Sequence, residues 1–238
     1  MANFSTHMVG GVAVGVVATS ILTAADLMDP TLIGTAVGIT ALGGLFPDVD
    51  SDNSDSIELV FSVLGLAASM PVLAVSLPKL GLLLSLLAMG LTYGVVRYVL
   101  IEPFRRFTVH RGVFHSVPMG AFTLAGVTAL IYYGIDANAL TSWIFGALFG
   151  LGFLTHLVLD ELYSVDLANQ RIKRSSGTAF KFFDRDDAVW YGMLYASIPA
   201  VFLLAPSAAQ FLEIFPQMDF RLLPPEDVVA WLSGAETR

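Results

Sequence analysis

The sequence predicts an all-α, polytopic transmembrane helix bundle of about seven spans. Three observations predict it. Of 238 residues, 55% are hydrophobic and only 13% are charged, against about 25% charged in an ordinary soluble domain. The mean hydropathy is +0.73, and a soluble domain this apolar would leave large greasy patches in water. The apolar residues also gather into runs near the length of about 20 that a bilayer-spanning helix needs. Together these facts exclude a disordered chain and a nucleic-acid-binding module, and they leave no room for a second, soluble domain. The net charge of −8 likewise disfavours a polyanion as partner, so no nucleic acid is expected and membrane lipid is.

The runs, bounded by charge or proline, lie at 8–25, 31–47, 57–77, 80–101, 116–134, 140–162 and 188–205. The first two are short and glycine-rich. No Lys or Arg precedes the first run, so it lacks the basic region of a cleavable signal peptide and is expected to stay in place. Residues 1–206 read as one transmembrane domain. Residues 207–238, with Pro216, Pro224 and Pro225 among the apolar Phe211, Leu212 and Phe215, read as an interfacial tail and not as an eighth span.

Four spans carry glycines four apart: Gly11/Gly15, Gly34/Gly38, Gly90/Gly94 and Gly146/Gly150. Such steps let helix backbones approach closely. Packing inside one bundle is their ordinary role; a homo-oligomer face is the sharper alternative.

Basic residues set the topology. With the N-terminus inside, Arg105, Arg106, Arg111, Arg171, Lys173, Arg174, Lys181 and Arg185 all fall in inner segments, and the outer connections hold only Lys79. That is a strong positive-inside bias, fitting a multi-pass protein of an inner-membrane-like bilayer. Arg97, near the inner end of its helix, can snorkel to that surface. Arg171, Lys173 and Arg174, then Lys181 with Phe182 and Phe183, form a basic inner loop of the kind that attracts anionic headgroups, although plain positive-inside topology accounts for it first.

All four histidines, His7, His110, His115 and His156, fall at inner ends of spans or in inner loops under this topology. Three alternating carboxylates, Asp48, Asp50 and Asp52, end the second span on the same side. Asp160 follows His156 by four residues, so the two share a helix face, and Asp160 comes after the apolar Leu157, Val158 and Leu159. A carboxylate in such a place wants a cation or a water-filled cavity. Taken singly, each His is more ordinarily a helix-bridging residue, and an Asp-rich turn is commonly just a solvated cap. The joint pattern points instead to a shared divalent-metal site. With no cysteine in the chain, nitrogen and oxygen donors suit zinc first, with manganese or iron as alternatives. The donor count exceeds the four of a single zinc, so two ions are favoured within a range of one to three. Two ions would suit activation of water on a phosphate ester.

The ordered segments Met1 to His7, Leu42 to Ser51 with its Phe46-Pro47-Asp48-Val49-Asp50 turn, His110-Arg111-Gly112 to His115-Ser116, and Gly152 to His156 to Asp160 resemble the YdjM-type membrane-bound metal-dependent hydrolases. That family is in turn distantly similar to zinc-dependent phospholipase C and the P1-type nucleases. The resemblance covers roughly residues 1–187. It implies that His7, Asp48, Asp50, His110, His115, His156 and Asp160 are the motif's polar, metal-holding positions. Asp48 or Asp50 would be a bridging ligand or base, and Arg111 a group that steadies a phosphate oxygen or anchors the membrane face. After Asp160 the chain reads Glu161-Leu162-Tyr163-Ser164, where many relatives have a turn containing proline and glycine.

The expected function is therefore an integral inner-membrane, metal-dependent hydrolase of a phosphate ester or phospholipid. The alternative is a metal-binding membrane scaffold or regulator without turnover. A transporter is disfavoured, because the span middles are nearly free of charge. No H-E-x-x-H, G-x-S-x-G or P-loop signature is present.

Overall fold

The structure, a computed structural model, describes residues 3–50, 55–103, 113–166, 171–172 and 180–214. Its long elements are helices: α1 (Phe4–Ala24), α2 (Ile33–Leu45), α3 (Asp55–Gly94), α4 (Val117–Ile135), α5 (Ala139–Ser164) and α6 (Ala188–Leu204), with a short α7 (Ala209–Leu212). Two-residue strands, β1 (Val165–Asp166) and β2 (Arg171–Ile172), pair antiparallel. Five helical stretches among the described residues are long and apolar enough to cross a membrane; α6, at 17 residues, is a shorter apolar helix.

One of the five runs from Asp55 to Pro103 and takes in both the 57–77 and 80–101 runs. It doubles back at Gly81, whose φ of 72° and ψ of 172° lie in a region that essentially only glycine occupies. The two arms lie side by side: a Cβ on Gly65 would touch the Tyr93 ring, and Arg97 reaches Ser62 and Glu58 on the opposite arm. The returning arm widens into a π-helix over Val95–Leu100. Arg97 therefore pairs across to the first arm at the hairpin's base.

α5 is the centre of the bundle. Its apolar window is 67% buried, against 22% for α1. Phe145, Leu148, Phe149, Phe153 and Leu157 go inside, and α1, α2 and α4 pack around it. At one end, Met28 and Ala36 close on Ile144, Phe145 and Leu148. At the other, Met119 of α4 and Leu194 of α6 close on Phe153 and Leu157.

Glycine sets the closeness of these helices. α1 turns a stripe of His7, Gly11, Gly15 and Thr19 inward and leaves Val9, Val16, Val17 and Ile21 facing out. Side chains at Gly11 or Gly15 would run into Ala41, Thr40 and Val37 of α2. A Cβ on Gly43 would collide with the Phe149 carbonyl, and one on Gly152 with the Thr40 carbonyl, so α2 and α5 cross backbone against backbone. Gly146 and Gly150 likewise meet Thr128 and Leu124 of α4. Of the four glycine steps, Gly11/Gly15 and Gly146/Gly150 thus pack within the chain, whereas a Cβ on Gly34, Gly38, Gly90 or Gly94 would meet nothing within 4 Å among the described residues.

Helix ends are fixed by conventional caps. Asn3 Oδ1 accepts the Thr6 amide at 2.9 Å and the Thr6 hydroxyl at 2.8 Å. Ser116 Oγ accepts the Met119 amide at 3.3 Å, and Asn138 Oδ1 accepts that of Thr141 at 2.9 Å. Each such cap contributes about 1 kcal/mol. In the tail, Phe211 of α7 stacks on Trp143, with ring centroids 5.9 Å apart; residues from 215 onward lie outside the described residues.

Candidate metal centre

The first turn of α1, the turn after α2, the entry to α4 and the last two turns of α5 meet at one end of the bundle. They bring together His7, Asp48, His115, His156 and Asp160. His7, His115, His156 and Asp160 are buried, while the Asp48 side chain is 20% exposed, which makes it the edge of the cluster that water reaches.

Each donor has a local cause. His7 sits on the buried stripe of α1, one turn past the Asn3 cap. α2 ends in a 3-10 turn, Phe46–Asp50, which swings Asp48 back over the helix ends. His115 directly precedes the Ser116 cap. The Val117 amide donates to the Lys181 carbonyl at 3.0 Å, so the 180–187 segment straps this entry in place; within the strap, Lys181 pairs with Asp184 at 2.8 Å and holds its carboxyl below the usual range. His156 and Asp160 lie one turn apart on α5.

The imidazole Nε2 atoms and the carboxylates face one another. His7 Nε2 is 3.3 Å from Asp160 Oδ1 and 4.0 Å from Asp48 Oδ2. His115 Nε2 is 3.3 Å from Asp48 Oδ1. His156 Nε2 is 3.7 Å from Asp48 Oδ1 and 3.8 Å from Asp160 Oδ2. The His7 and His156 rings stack at 3.6 Å. His156 Nδ1 lies 2.7 Å from the Gly44 carbonyl oxygen. A carbonyl only accepts, so Nδ1 carries the hydrogen and Nε2 presents its lone pair to the cluster. A backbone carbonyl accepting from the far nitrogen of a ligating His is usual at metal sites, where it fixes the ring's orientation and tautomer.

These residues fit a bound cation. With metal–ligand bonds of about 2.0–2.2 Å, donors around a four-coordinate ion lie about 3.3–3.6 Å apart, close to the shorter separations here. Two triads, His7/His156/Asp160 and Asp48/His115/His156, have donor atoms within 4.8 Å of one another. Among the described residues, neither nitrogen of His7 and not Nε2 of His156 makes a hydrogen bond, although carboxylate oxygens lie close by. Leaving a buried polar atom unsatisfied costs about 1–3 kcal/mol; a cation between imidazole and carboxylate removes that cost.

Of the seven sequence-derived donors, five therefore converge. Asp50 closes the same 3-10 turn, but its side chain lies outside the described residues, as do His110, Arg111 and Asp52. Sequence reasoning missed the Gly44 carbonyl, which has no residue-type signature, and the role of Gly43 and Gly152. Their signal was available as small residues next to the motif positions Phe46 to Asp50 and His156.

Fold and site together define a polytopic membrane helix bundle with a buried histidine–aspartate cluster at one end. The chain belongs to the YdjM inner membrane protein family, whose model matches residues 1–168, a span that contains all five clustered donors. It is an inner-membrane protein. No curated protein and no solved structure matches the chain.

Proposed function

We propose that this protein is a metal-dependent hydrolase that cleaves a phosphate ester, most naturally a phospholipid reaching the site from the bilayer. The observation that carries the reading is the convergence of three imidazoles and two carboxylates from two helices, a 3-10 turn and the segment entering α4 on one buried point, with one side open at Asp48. His7, His115, His156, Asp48 and Asp160 would hold the ion, with zinc first on donor chemistry and manganese or iron as alternatives. A bound ion of this kind lowers the pKa of water toward 7 and polarises a phosphoryl oxygen.

The chain's own residues supply the rest. Asp48, at the wet edge, is placed to take a proton from an incoming water, with Asp50 beside it in the same turn. Arg111, four residues before His115, would steady a phosphate oxygen through a charge-assisted fork. His156 Nε2 belongs to both triads, and an imidazole nitrogen has a single lone pair. The five described donors thus make one centre, and a second ion would draw on Asp50 and His110. The positive-inside bias of the arginine-rich segments supports a cytoplasmic position for this end of the bundle and for the N-terminus.

One observation favours the second reading, a metal-binding scaffold or regulator: four of the five donors are buried, as in a closed structural site. Turnover separates the two. Purified protein loaded with zinc or manganese is offered phosphodiesters and phospholipids in mixed micelles. The hydrolase reading predicts headgroup or phosphate release that His156→Ala abolishes. Metal held at stoichiometry with no ester cleaved would establish the scaffold instead.

A further inference from the structure

We propose that the Arg97–Glu58–Ser62 contact at the base of the α3 hairpin is a positioning device that holds Asp48 in the metal cluster. The proposal rests on the metal reading of that cluster. Arg97 Nε donates to Ser62 Oγ at 2.9 Å, and Nη2 donates to Glu58 Oε2 at 2.9 Å. Its guanidinium also lies 5.1 Å from the Tyr98 ring centroid. The arginine is largely buried, its side chain 14% exposed against 55% for Glu58. Ionisable groups in membrane segments are kept where they are paired and used.

The surroundings say what this one is used for. Arg97 lies within the π-helical stretch Val95–Leu100, a conformation found mostly as single turns inside α-helices and frequently at functional sites. Its neighbour Val96, and Glu58's neighbour Ile57, belong to one apolar cluster with Val60, Phe61 and Ile101. The other members of that cluster are Val49, which is buried, and Phe46. Those two residues flank Asp48 in the 3-10 turn. The hairpin base is therefore the seat on which the Asp48 turn rests, and the arginine fastens the two arms that form the seat. Farther along, the hairpin is bare: Met70, Val75, Leu77, Leu82, Leu83 and Leu87 are all exposed. Its attachment to the cluster is thus concentrated at the base. Asp48 faces His7, His115 and His156 together, so a shift of this turn alters three donor distances at once.

The test is a double-mutant cycle on metal affinity. Purified wild type, Arg97→Gln, Glu58→Gln, Asp48→Ala and Arg97→Gln/Asp48→Ala are titrated with zinc against a chromophoric chelator. Loss of the clamp should weaken zinc binding about 10-fold, the lower end for supporting groups at metal sites. It should add nothing once Asp48 is gone. The swapped pair Arg97→Glu/Glu58→Arg should recover most of the lost affinity, which also answers for a variant that merely folds poorly. Amide hydrogen exchange of the metal-free protein is a second readout: Arg97→Gln should speed exchange in residues 46–50. Zinc binding and exchange both unchanged in Arg97→Gln, or an equal loss of affinity in the Asp48→Ala background, would overturn the clamp while leaving the metal site standing. A wild type that binds no zinc would overturn the metal reading itself and the clamp with it.

Discussion

Gly152→Ala is the smallest change that should move the site without touching a donor. A Cβ at this position meets the Thr40 carbonyl oxygen and lies 2.9 Å from both Gly44 N and the Thr40 carbonyl carbon. Ordinary contacts begin near 3.5 Å, and the carbonyl oxygen is the nearest atom, so α5 must retreat from α2 by about an ångström or more. None of the obstructing atoms is the tip of a flexible side chain; all are helix backbone. Overpacking of this kind costs about 1–3 kcal/mol, offset by about 1 kcal/mol from replacing a helical glycine with alanine. The retreat also stretches the 2.7 Å contact between His156 Nδ1 and the Gly44 oxygen, one turn along the same helix. Loss of such a hydrogen bond behind a metal-ligating histidine weakens metal binding about 10- to 100-fold. The assay is zinc affinity and thermal unfolding of the detergent-purified protein, with Gly38→Ala as control. A Cβ on Gly38 meets nothing within 4 Å among the described residues, so the same substitution there should leave affinity unchanged and stability unchanged or slightly raised. If Gly152→Ala and Gly38→Ala behave alike in both measurements, glycine-mediated contact of α2 and α5 does not position His156.

Two further outcomes are expected. Gly81→Ala has open space around its Cβ, but its φ of 72° and ψ of 172° are strained for any other residue. The variant should lose about 1–3 kcal/mol of stability, seen as a lower melting temperature, and an unchanged melting temperature would show that the arms do not turn there. The chain has no cysteine, so Ser51→Cys carries a single thiol. In intact cells that thiol should resist a membrane-impermeant reagent and should react once the membrane is opened; labelling from outside would reverse the orientation.

The sequence made most of the fold legible because a bilayer imposes a coarse rule. Runs such as 116–134 and 140–162 became Val117–Ile135 and Ala139–Ser164, since an apolar stretch with no water to satisfy its backbone has little option but helix. The 57–77 and 80–101 runs are legible as apolar, but not as one 49-residue hairpin. Lys79 marks a break in hydropathy, whereas the chain reverses on the backbone freedom of Gly81, two residues later. The cluster was legible to the extent that its donors are side chains of telling types at telling places: His7, Asp48, His115, His156 and Asp160. What supports it was not. The Gly44 carbonyl is a backbone atom, which any residue offers. Glu58 and Arg97 are 39 residues apart, and their meeting depends on a turn that the residues between them do not announce. The glycine steps divide for the same reason. Gly11/Gly15 and Gly34/Gly38 look alike as text, and only the neighbour on the facing helix decides which is packed.

Whether this bundle end holds a metal ion is read from the metal content of the purified protein. Wild type and a His156→Ala/Asp160→Ala double variant are purified in detergent without chelator, offered zinc and manganese, desalted and analysed by mass spectrometry. The wild type should hold at least near-stoichiometric metal and the variant should lose it, with membrane insertion retained. Wild-type protein that holds no metal after both ions have been offered, or a variant that holds as much as the wild type, would contradict the metal reading.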